Sequence, residues 1–332
     1  MRAPFGFDVT RQPRLDVGPE ESVTGLETLS PAASRAPRGT LLPRYTLVGA
    51  TDAPVIVVLG GISATRHVTG DEGWWNGVAG DGRAIDTTRF RMLGLDFMDA
   101  GRDATGRPRR IVTTHDQALW LARILRTIGV SRVHAIVGAS YGGMVALAFA
   151  ERFAAQVARL IVLSAAHEAH PMSTALRTLQ RRIVELGLET GRAAESMAIA
   201  RGLAMTTYRT AAEFAERFEP GPLTRTSNDA RFPVDAYLRD RGERFAAAVR
   251  PERFLALSLS TDLHQVDPAR ITTRTTLVAA EGDTIVPRDQ LEALAAQLPD
   301  TCRLVHLPTR VGHDAFLVET AQVSSIVSAA LA

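Results

Sequence analysis

The feature that most constrains this chain is a single turn. A short apolar run, Val133 to Val137, passes directly into Gly138-Ala-Ser-Tyr-Gly-Gly143, and a helical pattern follows from Met144 to about Phe153. The spacing G-x-S-x-G between a strand and a helix describes a nucleophile elbow. The chain must reverse so sharply there that its central residue adopts strained backbone geometry, and the positions two away have no room for side chains. Gly138, Gly142 and Gly143 meet that demand. The turn lifts the Ser140 hydroxyl out of the sheet, and the positive end of the following helix points at it.

The pattern around the elbow is that of alternating strands and helices. Val55-Ile-Val-Val-Leu59 is wholly apolar, as a strand buried on both faces should be. Phe90 to Asp96 and Leu160 to Leu163 read as further strands, and Asp116 to Ile128 has helical periodicity ending at Gly129. Such alternation predicts a mostly parallel sheet with helices on both faces. Residues 170–255 break the rhythm; they are mostly helical and amphipathic, and read as a helical lid over the sheet's C-terminal edge. The α/β pattern resumes with Thr275 to Ala280, a helix over Arg288 to Gln297, a strand over Cys302 to Leu307, and a last helix from about Phe316. The expected organisation is an extended or partly ordered arm (1–44), a core (45–169), the lid (170–255) and the rest of the core (256–332).

A serine hydroxyl needs a base to take its proton. In an elbow fold the chain order is serine, acid, histidine. Glu281-Gly-Asp-Thr-Ile-Val-Pro287 follows the strand ending at Ala280, and a carboxylate at such a tip faces the site. Asp283 is the favoured acid, with Glu281 and Asp289 as competitors. Two of the eight histidines follow Asp283. His306 alternates within a strand and reads as a half-buried structural residue. His313 follows the last strand on a loop, where a base must sit. Asp283 would hold the far nitrogen of its ring. The oxyanion needs two fixed N–H donors. The expected pair is the amide of Tyr141 and that of Ile62, with Gly61 the alternative, on the Gly60-Gly-Ile-Ser63 loop.

Composition narrows the remaining classes. Net charge is +2, too small for a nucleic-acid-binding face, and the basic run Arg102 to Arg110 carries no aromatic and reads as a solvated loop. No apolar run approaches the roughly 20 residues of a membrane span, and Arg2 is not followed by the apolar stretch of a secretory signal. One cysteine excludes an intrachain disulfide and suits a reducing cytoplasm. Cys302 reads as a buried strand residue. No metal site is expected, since the histidines lack ligand spacing.

Several further segments, taken in order, resemble the homoserine O-acyltransferases of the α/β-hydrolase superfamily. They are Gly73-Trp-Trp75 with Gly82-Arg-Ala-Ile-Asp-Thr87, the elbow itself, Met205-Thr-Thr-Tyr-Arg209 with Ala215-Glu-Arg-Phe218, Phe232-Pro-Val-Asp-Ala-Tyr-Leu238 with Gly242-Glu-Arg-Phe245, and Gly312-His-Asp-Ala-Phe-Leu317. The likeness spans roughly residues 45–330. It implies an α/β-hydrolase fold and ping-pong acyl transfer from acetyl- or succinyl-CoA to L-homoserine, in methionine biosynthesis, with acyl-CoA as co-substrate and no resident cofactor. A serine acceptor, or an esterase or thioesterase using the same triad, is the alternative. By the same resemblance Asp314 binds the acceptor's ammonium, Arg209 its carboxylate, and Tyr208 lines that pocket; a homodimer joined through lid helices is expected. The segments around the acyl group depart from the family pattern, namely Gly60 to Ala64, Asp96 to Arg110, Ala139 and Tyr141. A succinyl carboxylate is expected to find an arginine such as Arg66 or Arg102.

Overall fold

The computed structural model describes residues 43–99, 101 and 111–332. The expected arm over 1–44 lies outside them apart from its last two residues, as does the basic run from Arg102.

The first strands are β1 (Tyr45–Val48), β2 (Val55–Leu59), the short pair β3 (Ala79–Gly80) and β4 (Ile85–Asp86), and β5 (Arg91–Leu95). Helix α1 (Thr114–Thr127) follows, then β6 (Ala135–Ala139), α2 (Tyr141–Phe153) and β7 (Arg159–Leu163). The chain ends with β10 (Arg274–Ala280), α8 (Arg288–Gln297), β11 (Arg303–Leu307), α9 (Ala315–Val318) and α10 (Thr320–Leu331). Among the described residues, seven of these strands form one sheet in the order β1-β5-β2-β6-β7-β10-β11. Every pairing is parallel except that of β1 with β5. Both faces of the sheet are covered. Val57, Leu59 and Ile136 pack with α1, α2 and α8 on one side. Ile56, Val58 and Val137 pack with α10 and the Trp75 segment on the other. This double burial is why β2 and β6 carry no polar residue.

Two boundaries differ from the sequence reading for physical reasons. Helix α1 starts at Thr114, because Thr113 and Asp116 form a reciprocal capping box. Helix α2 starts at Tyr141 rather than Met144, so the two glycines lie inside its first turn. Glycine weakens a helix by propensity, but packing wins here. A Cβ at Gly142 would collide with the carbonyl of Leu59, and one at Gly143 would press on Ala165 at 2.7 Å.

Between β7 and its sheet neighbour β10 stand α3 (Pro171–Glu189), α4 (Ala193–Tyr208), α5 (Ala211–Arg217), the hairpin β8 (Thr224–Arg225) and β9 (Ala230–Arg231), α6 (Pro233–Ala248) and α7 (Pro251–Asp262). Val184, Met197, Ala200, Phe245 and Phe254 form a core shared by α3, α4, α6 and α7. The expected end of the lid at 255 falls inside α7, which Pro251 starts and nothing interrupts before Asp262. Just beyond, His264 is buried. Its Nε2 donates to the Ala166 carbonyl at 3.1 Å, and its Nδ1 accepts from the Thr114 hydroxyl at 2.8 Å. Burial pushes its pKa down to about 3, so this ring is a neutral strut tying α1 to the loop after β7.

Candidate active site

Ser140 stands between the end of β6 and the start of α2 with φ 53° and ψ −123°. That positive φ is costly for a residue with a side chain. It is held because the Ser140 amide donates to Leu163 at 2.8 Å and the Gly142 amide donates to Gly60 at 2.9 Å. A Cβ at Gly138 would strike the Gly142 carbonyl, so the motif's glycines answer a backbone contact.

The Ser140 hydroxyl donates to His313 Nε2 at 2.8 Å, and His313 Nδ1 donates to Asp283 Oδ2 at 2.8 Å. The second carboxylate oxygen of Asp283 accepts from the amides of Ile285 and Val286 at 2.9 and 3.0 Å. This carboxylate therefore cannot turn, and it fixes the imidazole tautomer that leaves Nε2 facing the serine. Burial separates the three candidate acids. The Asp283 side chain is 0% exposed, whereas Glu281 and Asp289 lie on the surface. His306, expected to be half-buried, is exposed on the edge strand β11. Cys302 is half-buried and precedes that strand.

Burial alone would depress the pKa of His313. The charge of Asp283, its hydrogen bond and the charge of Asp314 together outweigh burial and the opposing charge of Arg177, so the net direction is upward from 6.5. A general base must be neutral to act. The acid limb of the acylation rate is therefore expected above pH 6.5. Asp314→Asn removes an anion that favours the imidazolium, so it should move that limb to lower pH. Stopped-flow acylation without acceptor measures this; a limb that stays put rules out the coupling.

Ser140 and His313 open onto a cavity of about 170 Å³ whose walls include Gly61, Ile62, Tyr141, Trp74, Tyr208 and Asp314. Tyr141 is the first residue of α2, so its amide has no intrahelical acceptor. Its side chain serves elsewhere: the hydroxyl shares a 2.8 Å hydrogen bond with Ser260, and burial pushes its pKa up to about 12. The Tyr208 ring stacks on His313 at 5.7 Å between centroids. Asp314 sits at the head of α9 but makes no side-chain cap bond there.

Arg209, expected to bind the acceptor's carboxylate, is not among the residues that line the cavity. Helix α4 ends at Tyr208 and Arg209 turns extended, with φ −117° and ψ 148°. Its guanidinium is spent on Asp314 at 3.1 Å and Glu213 at 3.5 Å. Arg201, two turns before Tyr208 on the same helix, lines the cavity instead. Its guanidinium lies 5.1 Å from the Tyr208 ring centroid and 4.9 Å from that of Phe245. Among the described residues no carboxylate pairs with it. Helical spacing from Tyr208 was the signal that could have found it. Arg177 of α3 also lines the cavity. Arg66 does not; its amide and guanidinium bind Asp96 at 2.8 and 3.0 Å. Arg102 lies outside the described residues.

A sequence family described as the alpha/beta hydrolase fold matches residues 54–320. The chain is 39% identical over 329 residues, 97% of its length and 87% of the relative's, to a homoserine O-succinyltransferase of Xanthomonas campestris pv. campestris. It belongs to the homoserine O-acyltransferase family of the α/β-hydrolase fold. Within that family it is also 29% identical, over 82% of this chain and 87% of the relative, to a serine O-succinyltransferase of Frateuria aurantia. The solved homoserine O-acetyltransferase of Bacillus anthracis superposes with a TM-score of 0.78 at 16% identity, covering 86% of this chain and 91% of that one. At that identity the likeness speaks for the fold. Among the described residues no helix is long and apolar enough to cross a membrane.

Proposed function

We propose that this protein transfers a succinyl group from succinyl-CoA to the hydroxyl of L-homoserine. The observation that carries the reading is the charge inventory of the cavity, which holds the anion Asp314 and the cations Arg201 and Arg177 beside Ser140 and His313. Zwitterionic homoserine needs one anion for its ammonium and one cation for its carboxylate. Asp314 and Arg201 supply them, with Tyr208 between Arg201 and the base. Arg209 then acts through Asp314, holding its carboxylate in place.

One cation remains. Among the described residues, Arg177 Nη2 is buried without a hydrogen-bond partner. A buried unpaired donor is costly, and a succinyl group supplies the carboxylate that would satisfy it. An acetyl group does not. The homoserine O-succinyltransferase of Xanthomonas campestris pv. campestris, at 39% identity, supports the same donor over the homoserine O-acetyltransferase of Thermus thermophilus at 29%.

In the first half-reaction His313 takes the Ser140 proton as Oγ attacks the thioester carbonyl. The C–S bond breaks and His313 returns the proton to the CoA sulfur. The amides of Tyr141 and Ile62 stabilise the oxyanion. In the second, His313 takes the homoserine hydroxyl proton, the hydroxyl attacks the acyl-serine, and Ser140 Oγ leaves with the proton. We further place the protein in the cytoplasm, as a homodimer that needs no resident cofactor, in methionine biosynthesis.

Initial rates with succinyl- and acetyl-CoA against homoserine, serine and water test this. Succinyl-CoA with homoserine should be fastest; serine is one methylene shorter, which a pocket resolves by about 1–3 kcal/mol. Arg201→Gln should raise the homoserine KM by about ten- to hundredfold, the value of a charge-assisted pair. Acyl-enzyme that decays equally fast with and without homoserine would make the protein a hydrolase.

A further inference from the structure

Asp262 ends α7, and its side chain is 6% exposed. Its Oδ1 accepts from Arg177 Nε at 2.5 Å and from the Thr174 hydroxyl at 3.0 Å. Its Oδ2 accepts from Arg181 Nη1 at 2.5 Å. The two arginines are not equivalent. Arg181 also reaches Ser258 and Thr178, each at 3.0 Å, and is absent from the cavity wall. Arg177 lies on that wall, and among the described residues its buried Nη2 has no partner. Two cations on one carboxylate leave one positive charge in excess, and the free valence of the cluster is at Arg177.

We propose that Asp262 is a positioning residue for donor selection: it clamps the guanidinium of Arg177 by Nε, so that Nη2 is presented to the terminal carboxylate of a dicarboxylic acyl donor. Arginine is a flexible side chain with a planar fork, and one anchored corner pre-orients the rest. The same clamp penalises a donor without that carboxylate, because Nη2 then stays buried and unpaired. The inference rests on the donor reading of Arg177 given above.

The test is the ratio of single-turnover acylation rates with succinyl-CoA and acetyl-CoA, measured on the full-length protein. Asp262→Asn is combined with Arg181→Met, which keeps the buried charge balanced, and thermal melting checks the fold. The ratio should fall by about tenfold or more, the loss of a well-oriented charge-assisted contact. Thr174→Val removes one hydrogen bond from the clamp and provides a milder variant, with a smaller fall in the same direction. A folded double variant that keeps the wild-type ratio, or that loses both rates equally as a purely structural part would, overturns the proposal. Arg177→Met separates the two readings. If it keeps the ratio, the donor reading of Arg177 fails and the clamp with it. If it loses the ratio while the Asp262 variant does not, only the clamp fails.

Discussion

Ser140→Ala is expected to abolish acyl-enzyme formation and to lower turnover by about a millionfold, the cost typical of removing a triad nucleophile. The reason is local. Among the described residues the hydroxyl makes one hydrogen bond, to His313 Nε2 at 2.8 Å, and that bond is what turns an alcohol into a nucleophile. Nothing in the surrounding core rests on it. The elbow is held by backbone bonds from Ser140 and Gly142, which alanine keeps. Thermal melting should therefore be nearly unchanged while intact-mass analysis after exposure to acyl-CoA shows no adduct. An adduct of acyl mass on the alanine variant would remove Ser140 from the chemistry.

Asp283→Asn should cost about 10⁴ in turnover, through the tautomer rather than through shape. Asparagine's carbonyl oxygen still accepts the amides of Ile285 and Val286, so the loop keeps its form. Its amide then faces His313 Nδ1 and donates to it. The ring is driven to carry its proton on Nε2, where it cannot accept the serine's. The charge of Asp283 is also the largest influence raising the imidazole pKa, so any residual activity should have its acid limb at lower pH. Glu281→Gln is the matched control, an exposed carboxylate at the same strand tip. Turnover of the Asp283 variant within tenfold of wild type would mean that another group orients the base.

The parts of this molecule that were legible from its residues are those with short-range steric or periodic causes. The elbow could be read because a backbone passing within contact distance of Leu59 tolerates only glycine at position 142. The strands could be read because β2 and β6 are apolar throughout. The acid remained ambiguous, since Glu281, Asp283 and Asp289 share one short stretch and differ by burial, a property of the folded loop. Arginines were the hardest to place. Arg66, Arg177, Arg201 and Arg209 all carry the same long side chain, and their roles depend on which neighbour each meets. Asp96 captures Arg66, Asp262 captures Arg177, and Asp314 captures Arg209. Arg201 is left facing the cavity, a fact about its competitors as much as about itself. Helix α2 began earlier than its glycines suggested because close packing on the sheet outweighed their weak helix propensity.

The loops that carry Asp283 and His313 are sewn to the end of α4. The Asp314 amide donates to the Tyr208 carbonyl at 3.3 Å, the Thr284 hydroxyl to the Thr207 carbonyl at 3.1 Å, and the Thr210 hydroxyl to the Arg310 carbonyl. A Cβ at Gly282 would meet the Thr210 methyl at 2.8 Å. The helix that carries Arg201 and Tyr208 and the loops that carry Asp283 and His313 thus form one joined piece. A chimera that grafts α4 from a relative must import residues 282–284 and 310–314 with it. A substitution that shifts the end of α4 is therefore expected to shift the base as well, readable as a change in the pH profile of acylation.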